Sequence, residues 1–410
     1  MGFQLTEEQM DVVMKTLENN VNVISGAAGT GKTSISTAIL NIYAQAGYSI
    51  ACCALSAKAA QRITEATGFP ASTIHRLLEY TPEGFKINEN RKLCHQVLLV
   101  DECSMINSSL FLQVVKSVAK GAKLVMCGDN RQLPPIGAGN IFSDLLNGSR
   151  DEIALSSLTK VLRQAEKSGI LKDANMIRDG KYPIAQPELK ITTGELNDMT
   201  YMFRDDREQL HRMAINTFMK AKEIDGLDEV VIVTPRRDNC MNSATEFNLH
   251  ITQLLFDEWD KHVSIGKRHY FVGSKVMQIV NDAERGVFNG EIGYVTAITE
   301  DGVGKDKMTT VTVEFKMNDE TKTIDYDKSE IDQLDLAYAM TCHKLQGSGI
   351  KSVIIVLDMT HYTLLDTCML YTAITRAKKR CLLLSEPNAF KMCMKNNKGK
   401  SRKTWLSGMK

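Results

Sequence analysis

Val21-Asn22-Val23-Ile24-Ser25-Gly26-Ala27-Ala28-Gly29-Thr30-Gly31-Lys32-Thr33 decides how the first part of this chain folds. Val21 to Ser25 is a short apolar strand, a glycine-rich turn follows, and Thr33 to Ala46 has helical character. The turn fits G-x-x-x-x-G-K-[ST] at every position and lies between a strand and a helix, the context that this pattern requires. The backbone N–H groups of Gly26, Ala27, Ala28, Gly29, Thr30 and Gly31 can converge on phosphate, and the helix N-terminus adds a favourable dipole. Lys32 is expected to reach the β- and γ-phosphates of ATP, and Thr33 to ligate Mg²⁺.

Ile50 to Leu55, Val97 to Val100 and Lys123 to Cys127 are further buried strands separated by helical stretches. That alternation predicts a parallel sheet covered on both faces. Leu98-Leu99-Val100-Asp101-Glu102 ends one strand in two acids. Asp101 suits the Mg²⁺ shell, and Glu102 suits polarising an attacking water. A phosphate-transferring kinase also carries such acids, so hydrolysis needs a further sign. Gly128-Asp129-Asn130-Arg131-Gln132-Leu133-Pro134-Pro135 supplies it, because it follows a third buried strand and puts Gln132 at the same sheet edge. An amide there can contact the γ-phosphate or the water; taken alone, the segment is also a proline-stiffened loop.

With 410 residues, 43% of them hydrophobic, the chain can bury cores for two to four domains. A net charge of +1 makes any basic surface a local groove rather than a whole face. The 10 cysteines show no CxxC pair or metal-ligand spacing, which predicts free thiols in a reducing cytoplasm. No apolar run approaches a membrane span, so a membrane partner is not expected. Tyr80 to His95 reads as a projecting hairpin, with Pro82 and Phe85 either stacking on bases and splitting strands or packing as an ordinary loop. A second α/β pattern starts near Leu155, with a strand at Val230 to Thr234 and a helix from Met241 to Trp259. From Val263 to Asp335 short β-rich pieces with polar turns predict a small inserted barrel.

These segments, in this order, resemble the superfamily-one helicases of the RecD-like branch. Leu5-Thr6-Glu7-Glu8-Gln9 resembles the family's Q motif, with Gln9 reading the adenine edge. The phosphate loop, the Asp101-Glu102 strand end and the Gln132 segment resemble motifs I, II and III. Ala54 to Ala60 resembles motif Ia and Ser72 to Leu78 motif Ib. Leu158-Thr159-Lys160-Val161-Leu162-Arg163-Gln164 resembles motif IV, Ala339 to Ser348 motif V, and Leu370 to Ala377 motif VI. The resemblance implies an α/β protein of two RecA-like parallel-sheet domains, with a small β-hairpin insertion in the first and an SH3-like β-barrel insertion in the second. The boundaries it implies are 1–152 for the first domain (hairpin 80–95), 153–262 with 336–395 for the second, 263–335 for the insertion and 396–410 for a basic mobile tail.

By the same resemblance Arg163 and Arg376 reach across a cleft to the phosphates, and Gly347 joins the nucleotide site. Ser56, Lys58, Thr73 and His75 from the first domain, and Thr341, His343 and Lys344 from the second, are expected to hold a nucleic-acid strand through phosphate and sugar. Ser56 and Thr73 are also natural helix caps. Two departures stand out: Gly349 where many relatives carry an acid, and Ala57 where motif Ia usually has glycine. After Gln132, Leu133-Pro134-Pro135-Ile136-Gly137 lacks the aromatic on which the opposite-polarity branch stacks a base. The function implied is an ATP-dependent 5′→3′ DNA helicase acting as a monomer on single-stranded DNA and on single/double-strand junctions. It would work in the cytoplasm of a bacterium or phage-infected cell, with replication or recombination proteins as further partners. The alternative is a motor subunit of a larger recombination or nuclease complex. Phosphate and stacking contacts alone do not choose between DNA and RNA.

Overall fold

The computed structural model describes residues 5–148, 152–161, 166–301, 308–317, 320–396 and 404. Two six-stranded sheets carry the chain. In the first the spatial order is Ala71–Thr73, Ile50–Ala54, Val97–Asp101, Lys123–Gly128, Val21–Gly26, Ala154–Leu158, and every pairing is parallel. Alternation along these strands sorts their side chains to opposite faces. Val23, Leu98, Val100, Leu124 and Met126 enter one buried cluster, while Ile24, Val97, Leu99, Val125 and Cys127 enter the other. Burial on both faces explains why the strands read as continuous apolar runs.

The second sheet runs Ala339–Thr341, Val230–Thr234, Ile350–Leu357, Ala377–Ser385, Met199–Phe203, Ile191–Thr193. Its pairings are parallel except at the Ile191–Thr193 edge, which is antiparallel. Along the chain, between the paired strands Val230–Thr234 and Ala339–Thr341, a five-stranded antiparallel sheet is inserted in the order Glu320–Asp327, Met308–Met317, Ile292–Asp301, Lys275–Gln278, Leu334–Leu336. A register shift between Val295 and Ala297 interrupts the pairing of Ile292–Asp301 with Met308–Met317. Val276, Val295, Val313 and Phe315 of this insertion share one core with Phe218, Phe247 and Ile251 from helices of the second domain. The insertion is therefore packed onto its host rather than tethered to it.

One expected boundary is corrected. Ala154–Leu158, assigned from sequence to the second domain, pairs in parallel with Val21–Gly26 and completes the first sheet. Ala-Leu-Ser-Ser-Leu carries no sign of which sheet it joins, since pairing partners are set by chain topology and not by local pattern. The helix expected over 241–259 spans Ala244–Leu255, started by the Ser243 side chain accepting from the Glu246 N–H. Arg163 and most of the basic tail (397–403 and 405–410) lie outside the described residues. Among the described residues no helix is long and apolar enough to cross a membrane.

Asn248 fastens the returning end of the insertion to the second domain. Its amide donates to the carbonyls of Leu336 and Ala339, both at 2.9 Å, and its Oδ1 accepts from the N–H groups of Tyr338 at 3.0 Å and Ala339 at 2.8 Å. Replacing it with leucine leaves buried backbone groups without partners, at about 1–3 kcal/mol each. Asn248→Leu is therefore expected to lower unfolding stability by about 3 kcal/mol or more in denaturant titrations. A change within about 0.5 kcal/mol would remove this residue from the account.

Candidate functional site

The phosphate loop ends at Gly31, which caps the helix Lys32–Gln45 in the left-handed region at φ 83° and supplies no side-chain cap. The first-turn N–H groups of that helix are thus left for a ligand, and the dipole favours an anion. Gly26 is equally constrained: a Cβ there would lie 2.7 Å from Thr30 Oγ1 and 3.2 Å from Leu158 Cβ. Lys32 Nζ donates to the loop carbonyls of Gly26 and Ala27, so the ammonium sits on the loop itself. Thr33 lines a cavity of 220 Å³ together with Asp101 and Glu102. Burial and the neighbouring Glu102 charge raise the Asp101 carboxyl above its ordinary range. Glu102 is held at φ 54°, and its Oε2 is buried with no hydrogen-bond partner among the described residues. An unpartnered buried carboxylate oxygen, uncapped helix N–H groups, an ammonium and a hydroxyl together fit a nucleoside triphosphate with a divalent cation.

Gln9 has a different environment from the one expected. Its Oε1 accepts from the Thr6 N–H at 3.0 Å, and its Nε2 donates to Thr30 O at 3.0 Å. The amide thereby ties the first helix to the phosphate loop, with both ends of the side chain engaged.

The second domain closes the site. Arg376 is 3% exposed and extends from motif VI to Gln132 Oε1 at 3.4 Å and Glu102 Oε1 at 3.7 Å. Its remaining donors meet Thr372 O at 3.2 Å and Ser348 O at 3.4 Å. Three of the residues singled out from sequence, Glu102, Gln132 and Arg376, therefore meet at one point between the domains. The neighbouring helix Thr367–Ile374 adds two contacts that sequence reasoning did not assign. Tyr371 Oη donates to Asp129 Oδ2 at 2.5 Å and accepts from the Ala28 N–H at 3.0 Å, while Thr372 Oγ1 accepts from the Leu133 N–H at 2.9 Å. A tyrosine and a threonine inside an otherwise apolar helix were the available signal, because buried polar atoms need partners. Burial and the Asp129 carboxylate push the Tyr371 phenol well above its ordinary pKa, so it remains a donor.

A groove of 480 Å³ runs between the two domains and the insertion. Ser56, Lys58, Thr73 and Lys344 line it. Ser56 and Thr73 also cap helices, accepting from Ala59 N and Arg76 N at 3.2 Å each. Lys344 is paired with Asp335 at 3.1 Å. Thr341 lines a small adjoining cavity that it shares with Lys344, and His343 is exposed beside it. His75 turns away from the groove onto the hairpin, with its ring 5.5 Å from Tyr80 and 5.8 Å from Phe85. Burial lowers its pKa, which favours neutral imidazole over a cation for phosphate. Phe85 is half-buried in this aromatic trio, and Pro82 is exposed at the turn between the hairpin strands. Gly347 packs against Ser56 and Ala59, where a Cβ would come within 2.8 Å of either side chain, so its place is in the approach of the two domains.

Other groove residues were not found from sequence. Arg76 crosses to the insertion, donating to Gly286 O at 3.3 Å, lying 3.9 Å from Glu291 and 5.5 Å from the centre of the Phe288 ring. Lys275 is 2% exposed, donates to Leu227 O at 2.9 Å, and is pushed down to about 8 by burial. Arg76 sits in the segment read as motif Ib, where it was given no role of its own, and Lys275 opens a strand of the insertion.

Residues 4–196 match the family described as AAA domain, 247–315 the ATP-dependent RecD-like DNA helicase SH3 domain, and 336–384 the UvrD-like helicase C-terminal domain. The chain is 31% identical over 388 residues to the ATP-dependent RecD2 DNA helicase of Deinococcus radiodurans, covering 95% of itself and 50% of that protein. It thus spans half the length of that relative. It is 27% identical to the RecBCD enzyme subunit RecD of Mycolicibacterium smegmatis, covering 91% of itself and 70% of the relative. Among solved structures, Pif1 helicases at forked double-stranded DNA share the fold with a TM-score of 0.54 at 22% identity, over 93% of this chain and 92% of that one. Bacteroides Pif1 in complex with ADP-AlF3 and single-stranded DNA gives 0.53 at 20%, with the same coverage.

Tyr371→Phe removes one hydroxyl and leaves Asp129 Oδ2 and the Ala28 N–H without it. A loss of about 1–3 kcal/mol in unfolding stability is expected. Tyr362→Phe, at a residue 58% exposed, is expected to stay within about 0.5 kcal/mol. Equal effects of the two would show that the interdomain phenol contact carries no weight.

Proposed function

We propose that this chain, which is similar to the RecD-like branch of the superfamily-one helicases, is an ATP-driven motor that moves 5′→3′ along single-stranded DNA and unwinds duplex ahead of it. The observation that carries this reading is Arg376, which spans the domain boundary to Glu102 and Gln132. A guanidinium from one domain, set beside the acid and the amide of the other, makes charge neutralisation conditional on closure. Lys32 and the uncapped N–H groups hold the phosphates, Thr33 and Asp101 hold Mg²⁺, and Glu102 orients the attacking water and accepts its proton. ATP supplies the phosphoanhydride whose cleavage drives the cycle.

Grip on the strand comes from Ser56, Lys58 and Thr73 on one side of the groove and Lys344 on the other, with Thr341 and His343 adjacent. Charge and hydroxyl contacts of this kind position a strand without reading its sequence. Leu133 is buried and Ile136, the next apolar side chain of that loop, is 68% exposed, so the loop after Gln132 offers no aromatic platform. Stepping then rests on alternate grip by the two domains, and this supports the 5′→3′ sense. The motor acts as a monomer in the cytoplasm, on single strands and strand junctions.

Purified chain with ATP is expected to unwind a duplex bearing only a 5′ tail and to leave one bearing only a 3′ tail intact. Lys32→Ala abolishes turnover, and Glu102→Gln lowers it about 100-fold or more while retaining nucleotide binding. Unwinding from the 3′ tail alone reverses the polarity. A need for added partner proteins before any unwinding would instead favour a subunit of a larger complex. Undiminished hydrolysis by either variant rules out this site.

A further inference from the structure

The 220 Å³ cavity beside the paired acids has a built-in direction. Glu102 is buried and Asp101 half-buried at its inner end, with Thr33 beside them. Arg62, Glu65 and Lys378 line it too, and all are exposed, so they form its mouth. The volume is well over ten times the roughly 10–15 Å³ that one water needs on the same measure, which leaves space for a small anion with some hydration. At the inner end the unpartnered Oε2 of the Glu102 carboxylate repels an anion, and the two cations draw it outward.

Both cations are placed by contacts that nothing in the proposed chemistry requires. Arg62 comes from the first domain, and its Nη1 donates to Gly347 O of the second at 3.4 Å. Lys378 comes from the second domain, and its stem lies over Gly349. A Cβ built at Gly349 would sit 2.6 Å from Lys378 Cε and 3.5 Å from its Cγ. Any side chain there would displace the lysine, and an acid, as the family resemblance led one to expect, would also neutralise it. Among the described residues neither cation has an ion-pair partner. Glycine at 349 thus keeps a lysine free at the mouth.

We infer that this cavity is a phosphate-binding site which receives inorganic phosphate after ATP cleavage, with Arg62 and Lys378 as its cationic receptors from opposite domains. The inference rests on the motor reading above. It also makes phosphate departure depend on the same domain approach that sets Arg376. Arg62, Glu65 and Lys378 line the strand groove as well, so a phosphodiester of the strand is the other source of the same chemistry. The site is assigned to the free anion because its inner end opens on Glu102, not on the groove.

The test uses the full chain, first shown to bind magnesium-ADP. Equilibrium dialysis of radiolabelled inorganic phosphate with magnesium-ADP present is expected to show one saturable site. Lys378→Met and Arg62→Met each weaken it about tenfold or more, and Lys378→Arg largely restores it. Both residues are exposed, so the variants should melt with the wild type; Lys378→Gln gives a second reading at that position. Binding of oligo-dT, followed across salt concentrations, keeps its slope. A wild-type chain that binds magnesium-ADP but no phosphate overturns the site, as does unchanged phosphate binding in the variants. A fall in the oligo-dT salt slope by about 0.7, one phosphate contact, with phosphate binding intact, reassigns the cations to the strand. A chain that binds no magnesium-ADP overturns the motor reading itself.

Discussion

Everything in this structure that bears on function depends on burying the Arg376 guanidinium between two domains. Such a charge is costly to take out of water unless its donors are satisfied. Here the carbonyls of Thr372 and Ser348 hold it from its own side, and Gln132 and Glu102 meet it from the other. Its own domain therefore supplies only part of its environment. Separation of the domains exposes the arginine and returns Glu102 to an unpartnered state, so their approach and the electrostatics of the site are one event.

The surrounding contacts share this arrangement. Tyr371 and Thr372 carry the second domain onto Ala28, Asp129 and Leu133, that is, onto the phosphate loop and the Gln132 segment. Arg62 and Gly347 bring motif V against the motif Ia helix, where Arg62 lines both the 220 Å³ cavity and the 480 Å³ groove. Arg76 adds a third bridge, from the first domain to the insertion. Because cores are close-packed and cannot deform smoothly, these bridges tie the two domains and the insertion into one set of contacts around the phosphate loop.

The parts legible in the sequence were those where local chemistry dictates position. A glycine-rich turn between a strand and a helix can hold little but phosphate, and acids or amides at the ends of neighbouring parallel strands must share one edge. Glu102, Gln132 and Lys32 followed from that, and Arg376 from the family resemblance. What local pattern cannot carry is partner choice. Ala154–Leu158 joined the first sheet and not the second. His75, read as a strand contact, packs on Tyr80 and Phe85. Tyr371, Arg76 and Lys275 acquire their roles only from residues far away in the chain, and the meaning of Gly349 appears only once Lys378 is seen lying across it.

The central claim is that an arginine from one domain completes hydrolysis on the other, and Arg376→Ala measures it most directly. ATP affinity and kcat are determined for this variant and the wild type with saturating oligo-dT. The account predicts affinity within about tenfold of wild type and a kcat lower by about 10³-fold, the pattern of an interaction made in the transition state. A kcat equal to that of the wild type would contradict it and leave Arg376 as an ordinary packing residue of the domain interface.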